Sequence, residues 1–287
     1  MADLRPLRSV LYMPGSNERA LEKAKTIPAD ALILDLEDAV APDAKQTARE
    51  LVCAAVSSGA YGEKILTIRV NGLDSVWHAE DVTAAVAAGP AAIVVPKVNS
   101  ADEVRQIETS LDAAGAGGEI AIWAMIESPA AVLHVEEIAS ASERLTTLIM
   151  GTNDLIKEMH GLLTPGRLAL LTPLSIALLG ARAAGVAIVD GVFMDVTDTE
   201  GLIAECEQGK VMGFDGKTLI HPGQVEPTNV VFSPSEAEIE HARAVIAAFD
   251  EAVDAGKGVA TLNGKLIENL HVDEARRVLA FAQAVSR

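Results

Sequence analysis

Residues 31–38 read Ala-Leu-Ile-Leu-Asp-Leu-Glu-Asp. Four apolar residues occupy consecutive positions, where a strand with one wet face would alternate apolar and polar. The run predicts a strand covered on both faces, as in parallel sheets wrapped by helices. Its end gathers three carboxylates, Asp35, Glu37 and Asp38. Two further runs, AAIVVP at 91–96 and IAIWAMI at 120–126, are equally apolar and lead into Lys97 and Glu127.

Working outward, eight strands are expected at 9–13, 31–36, 64–70, 91–96, 119–126, 145–151, 186–193 and 211–219. Helical patterns fall between them at 18–25, 43–57, 75–88, 101–114, 130–139, 167–184 and 198–208. Ser16-Asn17, Asp43, Ser100 and Asp198 read as N-caps. Gly59, Gly89, Gly115 and Gly185 read as stops. Eight β/α repeats in about 220 residues predict an α/β fold, a (β/α)8 TIM barrel, over residues 1–225. An open dinucleotide-binding sheet would want a Gly-rich turn after an early strand, and Pro14-Gly15-Ser16-Asn17 is not GxGxxG. Residues 226–287 read as a C-terminal helix-hairpin-helix extension. Ser233-Pro234-Ser235 opens a long helix to about Ala255. Asn263-Gly264 then turns a hairpin between 259–262 and 265–267, and a last helix spans 272–285.

The chain has 287 residues, with 23 Lys+Arg against 41 Asp+Glu and a formal net charge of −18. That balance speaks against nucleic acid, which calls for a basic face. Hydrophobic residues make up 49 %, enough for a large core and too many for a disordered chain. Cys53 and Cys206 read as buried thiols, too few for a disulfide framework. Asp3, Arg5 and Arg8 interrupt any secretory apolar segment. The most apolar stretch, 168–181, contains Pro173 and is too short to span a membrane. A soluble, reducing, cytoplasmic setting is the expectation.

In a barrel of this kind, reactive residues collect at the C-terminal ends of the strands. Nearly every expected strand here ends in charge, and carboxylates confined to one mouth repel each other unless a cation intervenes. Glu127 and Asp154 follow neighbouring strands, and two carboxylates plus substrate oxygens and waters suit Mg²⁺. The alternative is that each caps the following helix. Asp35, Glu37 and Asp38 cannot all point one way, and either support the metal's waters or form a salt-bridged strand end. Arg69 ends an apolar strand. Its planar fork suits the carboxylate of a small acid, or it pairs with Glu37 or Asp38. Lys97, Lys217, Arg8 and Arg19 bring positive charge towards the mouth, and His221-Pro222 is either functional or structural. No HExxH or HxxxH spacing points to zinc, and no GxSxG to an esterase.

Together, RSVLYMPGSNERALEKA, ALILDLEDAVAPDAK, IRVNG, VPKV, AMIESPAAV, LIMGTNDL and GFDGKTLIHPGQV resemble the citrate lyase β-subunit-like branch of the HpcH/HpaI aldolase superfamily. The tail GKGVATLNGKLIE is similar to that family's C-terminal segment. The resemblance covers nearly the whole chain. It implies a TIM barrel and a Mg²⁺ site at Glu127 and Asp154, with Mn²⁺ as a substitute. It also implies a thioester substrate carried on CoA or an acyl-carrier protein. Arg69 would hold the 2-oxo acid, and Asp35, Glu37 and Asp38 would surround the metal. Arg19, Lys97, Lys217, His221 and Pro222 would lie along the CoA path. Homotrimers or hexamers are implied, with the tail covering a neighbouring subunit's active site. Where many members carry an aspartate in the tail, this chain reads Gly264-Lys265-Leu266-Ile267-Glu268.

The function expected first is Mg²⁺-dependent retro-Claisen cleavage of a malyl-CoA-like 3-hydroxy-acid thioester. The products would be acetyl-CoA, or a related acyl-CoA, and glyoxylate or another 2-oxo acid. Arg69, Glu37, Asp38 and Glu268 are the catalytic candidates. A malyl-CoA thioesterase using the same site, or a citrate lyase β subunit working on a carrier-bound thioester, are the alternatives.

Overall fold

The structure, a computed structural model, describes residues 5–286, so Asp3 lies outside the described residues. Eight parallel strands close into a barrel in sequence order. They are β1 (Ser9–Pro14), β2 (Ala31–Asp35), β3 (Ile65–Arg69), β4 (Ala92–Val95), β5 (Ala121–Ile126), β6 (Leu145–Met150), β7 (Ala187–Asp190) and β8 (Gly216–Leu219). Every consecutive pair is parallel, and β1 pairs with β8 through Ser9↔Lys217 to Leu11↔Leu219. The apolar runs become strands because both faces are covered: β2 and β4 are buried at every position. The barrel interior is filled by Val10, Ile33, Ile65, Val94, Trp123, Met125, Ile149 and Val189, among others.

The helices between the strands are α1 (Glu18–Ala24), α2 (Lys45–Ser57), α3 (His78–Ala88), α4 (Ala101–Ala113), α5 (Pro129–Leu133), α6 (Val135–Ala139), α7 (Thr152–Glu158), α8 (Leu171–Ala184) and α9 (Thr199–Met212). Asn17, Ser100 and Asp198 cap as expected, accepting from Ala20, Glu103 and Gly201 amides. Asp43 does not: it sits inside a 3-10 turn, Pro42–Ala44, whose N-cap is Ala41. The helix expected over 130–139 breaks at His134 into α5 and α6. Residues 211–212 belong to α9, not to the last barrel strand. The sequence reading missed α7, because a seven-residue helix beginning Thr-Asn-Asp reads as a polar loop. Cys206 is buried, whereas Cys53 is only half-buried.

The chain divides into two compact units, and the barrel unit runs from Leu7 to Asn229. The division falls inside α10 (Val225–Phe232). The second unit holds α11 (Glu236–Asp254), β9 (Ala260–Leu262), β10 (Lys265–Ile267) and α12 (Asn269–Val285). It has its own core of Ala242, Val245, Phe249, Ala260, Ile267, Val272 and Ala275. Ser235 and Glu238 form a capping box at the start of α11. β9 and β10 pair antiparallel around Asn263-Gly264, whose φ values of +50° and +76° suit a tight hairpin turn. Glu268 is the N-cap of α12 and is exposed. Among the described residues, no helix is long and apolar enough to cross a membrane.

Candidate active site

The register of β2 and β3 sets Asp35 directly opposite Arg69 at the C-terminal end of the barrel. Their side chains meet in a fork, Nε to Oδ1 at 2.6 Å and Nη2 to Oδ2 at 2.7 Å. Asp35 also accepts the amides of Glu37 at 2.9 Å and Ala39 at 3.1 Å. With four donors on two oxygens this carboxylate is saturated, and it is 1 % exposed. The remaining edge of Arg69, Nη1, lies 2.8 Å from Glu37 Oε2 in an ion pair, 3.6 Å from Asp38 Oδ2 and 4.0 Å from Met125 Sδ. The guanidinium stacks 4.9 Å from the Tyr12 ring. Burial opposes its charge, but Asp35, Tyr12 and Glu37 together more than offset this and hold it protonated.

The expectation that Arg69 presents a free fork to a substrate is therefore modified. Its bidentate face belongs to Asp35. Its Nη1 edge pairs with Glu37 and lies near Asp38, as the alternative reading had it, so a ligand would have to share that edge with them. Glu37 lies between two cations, its Oε1 3.6 Å from Lys97 Nζ. Burial pushes its carboxyl upward, with Arg69 pulling the other way. Tyr12, which the apolar first strand disguises as ordinary core, reaches Met125 Sδ with its hydroxyl at 3.8 Å. Burial raises that phenol well above its usual range.

Glu127 follows β5, and its Oε1 accepts the backbone N–H of Lys97 at 2.7 Å. Lys97 provides that donor from a left-handed conformation, φ +56°. The carboxylate's other side lies against Gly151. A Cβ there would stand 2.3 Å from Glu127 Cβ and 2.5 Å from Oε2. Burial first, then repulsion by Glu37, pushes the Glu127 carboxyl up to about 7, with Asp154 adding to the repulsion. Neither acid caps a helix through its side chain at the N-cap. Ser128 caps α5, accepting from Ala131, and the N-cap of α7 is Gly151. Asp154 lies half-buried in the first turn of α7.

These residues fit a hard divalent cation. A glycine leaves room beside Glu127, and the acids are mutually repulsive without a positive charge. Among the described residues, no group of three or more His, Cys, Asp and Glu is suited to a metal. Two carboxylates suit Mg²⁺, which keeps several of its waters, better than zinc. Gly151→Ala is expected to displace the Glu127 carboxylate. Calorimetric Mg²⁺ titration should then show affinity reduced roughly tenfold or more. The melting temperature should fall as well, because the nearest clash is with Glu127 Cβ itself. Unchanged affinity would count against Glu127 as a ligand.

The remaining candidates divide. Arg19, in the first turn of α1, and Lys97 are exposed. His221 follows β8, is exposed, and accepts the Gly223 amide on Nδ1 at 3.1 Å, with Pro222 opening a 3-10 turn. Two expectations are corrected. Lys217 is 0 % exposed, with its ammonium on Gly191 O at 2.5 Å, Glu205 Oε1 at 2.6 Å and Asp190 Oδ2 at 3.2 Å. It belongs to a buried network with Arg167, which pairs with both Asp190 oxygens at 2.8 Å, and it cannot line a CoA path in this fold. Arg8 precedes β1 and pairs with Asp30 before β2, at the strands' N-terminal ends, opposite the mouth.

Residues 8–222 match the profile of the HpcH/HpaI aldolase/citrate lyase family. The chain is 51 % identical to a (3S)-malyl-CoA thioesterase from Cereibacter sphaeroides, covering 98 % of this chain and 96 % of that one. It is 37 % identical to the citrate lyase subunit beta of Escherichia coli, covering 97 % and 94 %. Among solved structures, it is similar to the protein CitE of Mycobacterium tuberculosis in complex with magnesium, acetoacetate and coenzyme A. There the TM-score is 0.81 at 26 % identity, covering 98 % of this chain and 100 % of that one.

Proposed function

The chain belongs to the HpcH/HpaI aldolase/citrate lyase family, and on that premise we propose that it is a magnesium-dependent enzyme acting on a malyl-CoA-like thioester. Hydrolysis to the free acid and CoA is the leading reaction, and carbon–carbon cleavage stands second. That order reverses the one expected from sequence. The observation that carries it is the 51 % identity, over 98 % of the chain, to a relative named (3S)-malyl-CoA thioesterase. The lyase reading keeps its place because citrate lyase β subunits match over nearly the same length.

Glu127 and Asp154 would hold Mg²⁺, with Mn²⁺ as a substitute. When bound, the cation supplies Lewis-acid polarisation of an oxygen and lowers the pKa of bound water. Arg69 offers its Nη1 edge to the substrate's carboxylate or to the developing oxyanion. Asp35 keeps that edge aimed, because it fixes the other side of the guanidinium. Glu37 is the general base. Burial raises its affinity for a proton, and a base works best with its pKa near the operating pH. In hydrolysis it takes the proton of the water that attacks the thioester carbonyl, and the C–S bond breaks to release CoA. In cleavage it takes the proton of the 3-hydroxyl, and the C2–C3 bond breaks. Lys97 and Arg19 offer positive charge to the CoA phosphates. Asp38 stands at the exposed rim.

The C-terminal unit enters this scheme through a neighbouring copy, in a homotrimer or hexamer. Glu268, exposed at the start of α12, reaches an adjacent subunit's site, where it gives a proton to the thioester α-carbon in cleavage or to the departing CoA sulfur in hydrolysis. Glu268→Gln is expected to keep CoA binding and assembly while slowing turnover roughly 10²- to 10⁴-fold, the usual weight of a general acid or base. Glu268→Asp should shift products towards cleavage. An unchanged turnover rate would reduce Glu268 to a surface charge.

The deciding experiment incubates the purified chain with (3S)-malyl-CoA and Mg²⁺. Malate with free CoA supports hydrolysis, and glyoxylate with acetyl-CoA supports the lyase reading. Turnover of the free CoA ester argues against a carrier-dependent citrate lyase subunit. If neither pair of products forms, the proposal is overturned.

A further inference from the structure

The loop that carries Glu37 is gripped from two sides. From one side, Asp35 accepts the amides of Glu37 and Ala39. From the other, the Lys45 ammonium donates to the carbonyls of Leu36 at 2.6 Å and Glu37 at 2.7 Å, and to Asn71 Oδ1 at 2.8 Å. An ammonium has three donors, so Lys45 is fully engaged. It is 6 % exposed and lies 5.1 Å from the Trp77 ring.

Asn71 extends the grip. Its side chain donates to Leu36 O at 3.1 Å and to Asp81 Oδ2 at 2.5 Å. Asp81 in turn accepts the Arg49 Nε at 2.8 Å, and Arg49 reaches Glu80 and Gln46. The cation, the amide and the acid come from α2, the loop after β3 and α3. The loops after β2 and β3, which bear Glu37 and follow Arg69, are thus bound to each other and to the surrounding helices.

Burying an ammonium costs several kcal/mol before its bonds compensate. None of its three acceptors is a carboxylate. A methionine would fill the same volume without burying a charge, but it would leave these three acceptors without their donor, so the lysine serves the fold as well as the loop. What the charge adds is a hold on the loop: two adjacent carbonyls, one of them that of Glu37, share a single cation.

We propose that Lys45 is a positioning residue, which holds the 36–39 loop so that the Glu37 carboxylate keeps its place between Arg69 and Lys97. This rests on the reading of Glu37 as the base. A displacement near 1 Å at such a group costs roughly 10²-fold in rate.

The test uses the full chain with Lys45→Met and Lys45→Gln. Hydrogen exchange by mass spectrometry reads the backbone amides of 36–41, and thermal melts read stability. Steady-state kinetics on (3S)-malyl-CoA with Mg²⁺ are compared with those of Glu37→Gln and the double variants. The expected result is exchange at 36–41 accelerated at least tenfold, with kcat lowered roughly 10- to 100-fold and KM within about threefold. In the Glu37→Gln background the same Lys45 change should alter kcat by less than about threefold, while lowering the melting temperature as it does alone.

An undiminished fall in kcat in that background overturns the proposal, as does a lowered melting temperature with kcat intact. Unchanged exchange overturns it too. Where Lys45→Met fails to fold, Lys45→Gln, which keeps a hydrogen-bond donor, carries the comparison. A wild-type chain inactive on every CoA ester defeats the functional reading. The exchange comparison then still decides whether Lys45 fixes the loop.

Discussion

Replacing Glu127 by alanine is expected to lower turnover by roughly 10³-fold or more, since a cation's charge stabilisation is worth several kcal/mol of the barrier. Asp154→Ala should do the same. EDTA should abolish wild-type activity, and Mg²⁺ or Mn²⁺ should restore it. Glu127→Gln gives the sharper signature, because it separates charge from shape. Its side-chain oxygen can still accept the Lys97 amide, but the variant cannot supply the anion.

The metal-free fold holds Glu127 with a raised proton affinity, pushed to about 7 from an ordinary 4.5 by burial and by the nearby carboxylates. The fold favours the neutral form relative to the unfolded chain. This group's effect is therefore absent below pH 4.5, grows as a destabilisation while pH rises through 7, and is complete above that. Glu127→Gln should make the metal-free protein more stable at pH 8, by an amount on the order of 3 kcal/mol, while losing activity. Added Mg²⁺ should raise the wild-type melting temperature more at pH 8 than at pH 5.5, and leave the variant unmoved. Full wild-type activity in metal-free buffer would mean that Glu127 and Asp154 serve the fold only.

Arg69 is expected to show a double loss. Arg69→Met leaves Asp35, 1 % exposed, as a buried charge holding only two amides. Breaking such a pair costs about 3–5 kcal/mol, readable as a shift in the urea midpoint. Arg69→Lys should recover part of this stability, because an ammonium can still donate to Asp35. It should not recover activity: a point charge cannot bind Asp35 as a fork and also present an edge to the substrate. A reduction of roughly 10²- to 10³-fold is expected, the weight of a lost donor at a developing negative charge. A near-normal Arg69→Lys enzyme would make this residue a structural counter-ion alone.

Most of the strands were legible because each is an apolar run bounded by turn residues, and burial on both faces leaves that mark in the sequence. β8, Gly-Lys-Thr-Leu, lacks it, and its expected start fell in α9. The gathering of acids at the mouth was legible for a related reason: Asp35, Glu37, Glu127 and Asp154 each stand at or just beyond the end of such a run. What the runs do not carry is register. Asp35 lies opposite Arg69 in the sheet, so it takes the fork that sequence assigned to a substrate, while the alternative pairing with Glu37 and Asp38 is made by Nη1. Lys217 was misplaced for the same reason. Its partners come from positions 190, 191 and 205, and nothing local to a lysine in a strand reveals that they converge. Lys45 drew no reading from the sequence, because its acceptors are mostly backbone carbonyls, which have no side-chain signature. Gly151 read only as the end of a strand, and its bearing on Glu127 emerges from the distance across two strands.

Closure of the barrel carries a consequence for the order of folding. Ser9 pairs with Lys217, about 200 positions along the chain, whereas β1 meets β2 across about 20 positions. By loop-closure entropy the longer connection costs only about 2 kcal/mol more. The seam is therefore late for want of its partner and not because it is energetically remote. During synthesis β1 has one open edge until β8 has been made, and an unpaired strand edge is a template for pairing with another chain. At about 5–20 residues per second that interval lasts on the order of ten seconds or more. A nascent chain of this protein thus spends most of its elongation as an incomplete ring, and it passes its greatest exposure to aggregation before the C-terminal unit has been translated.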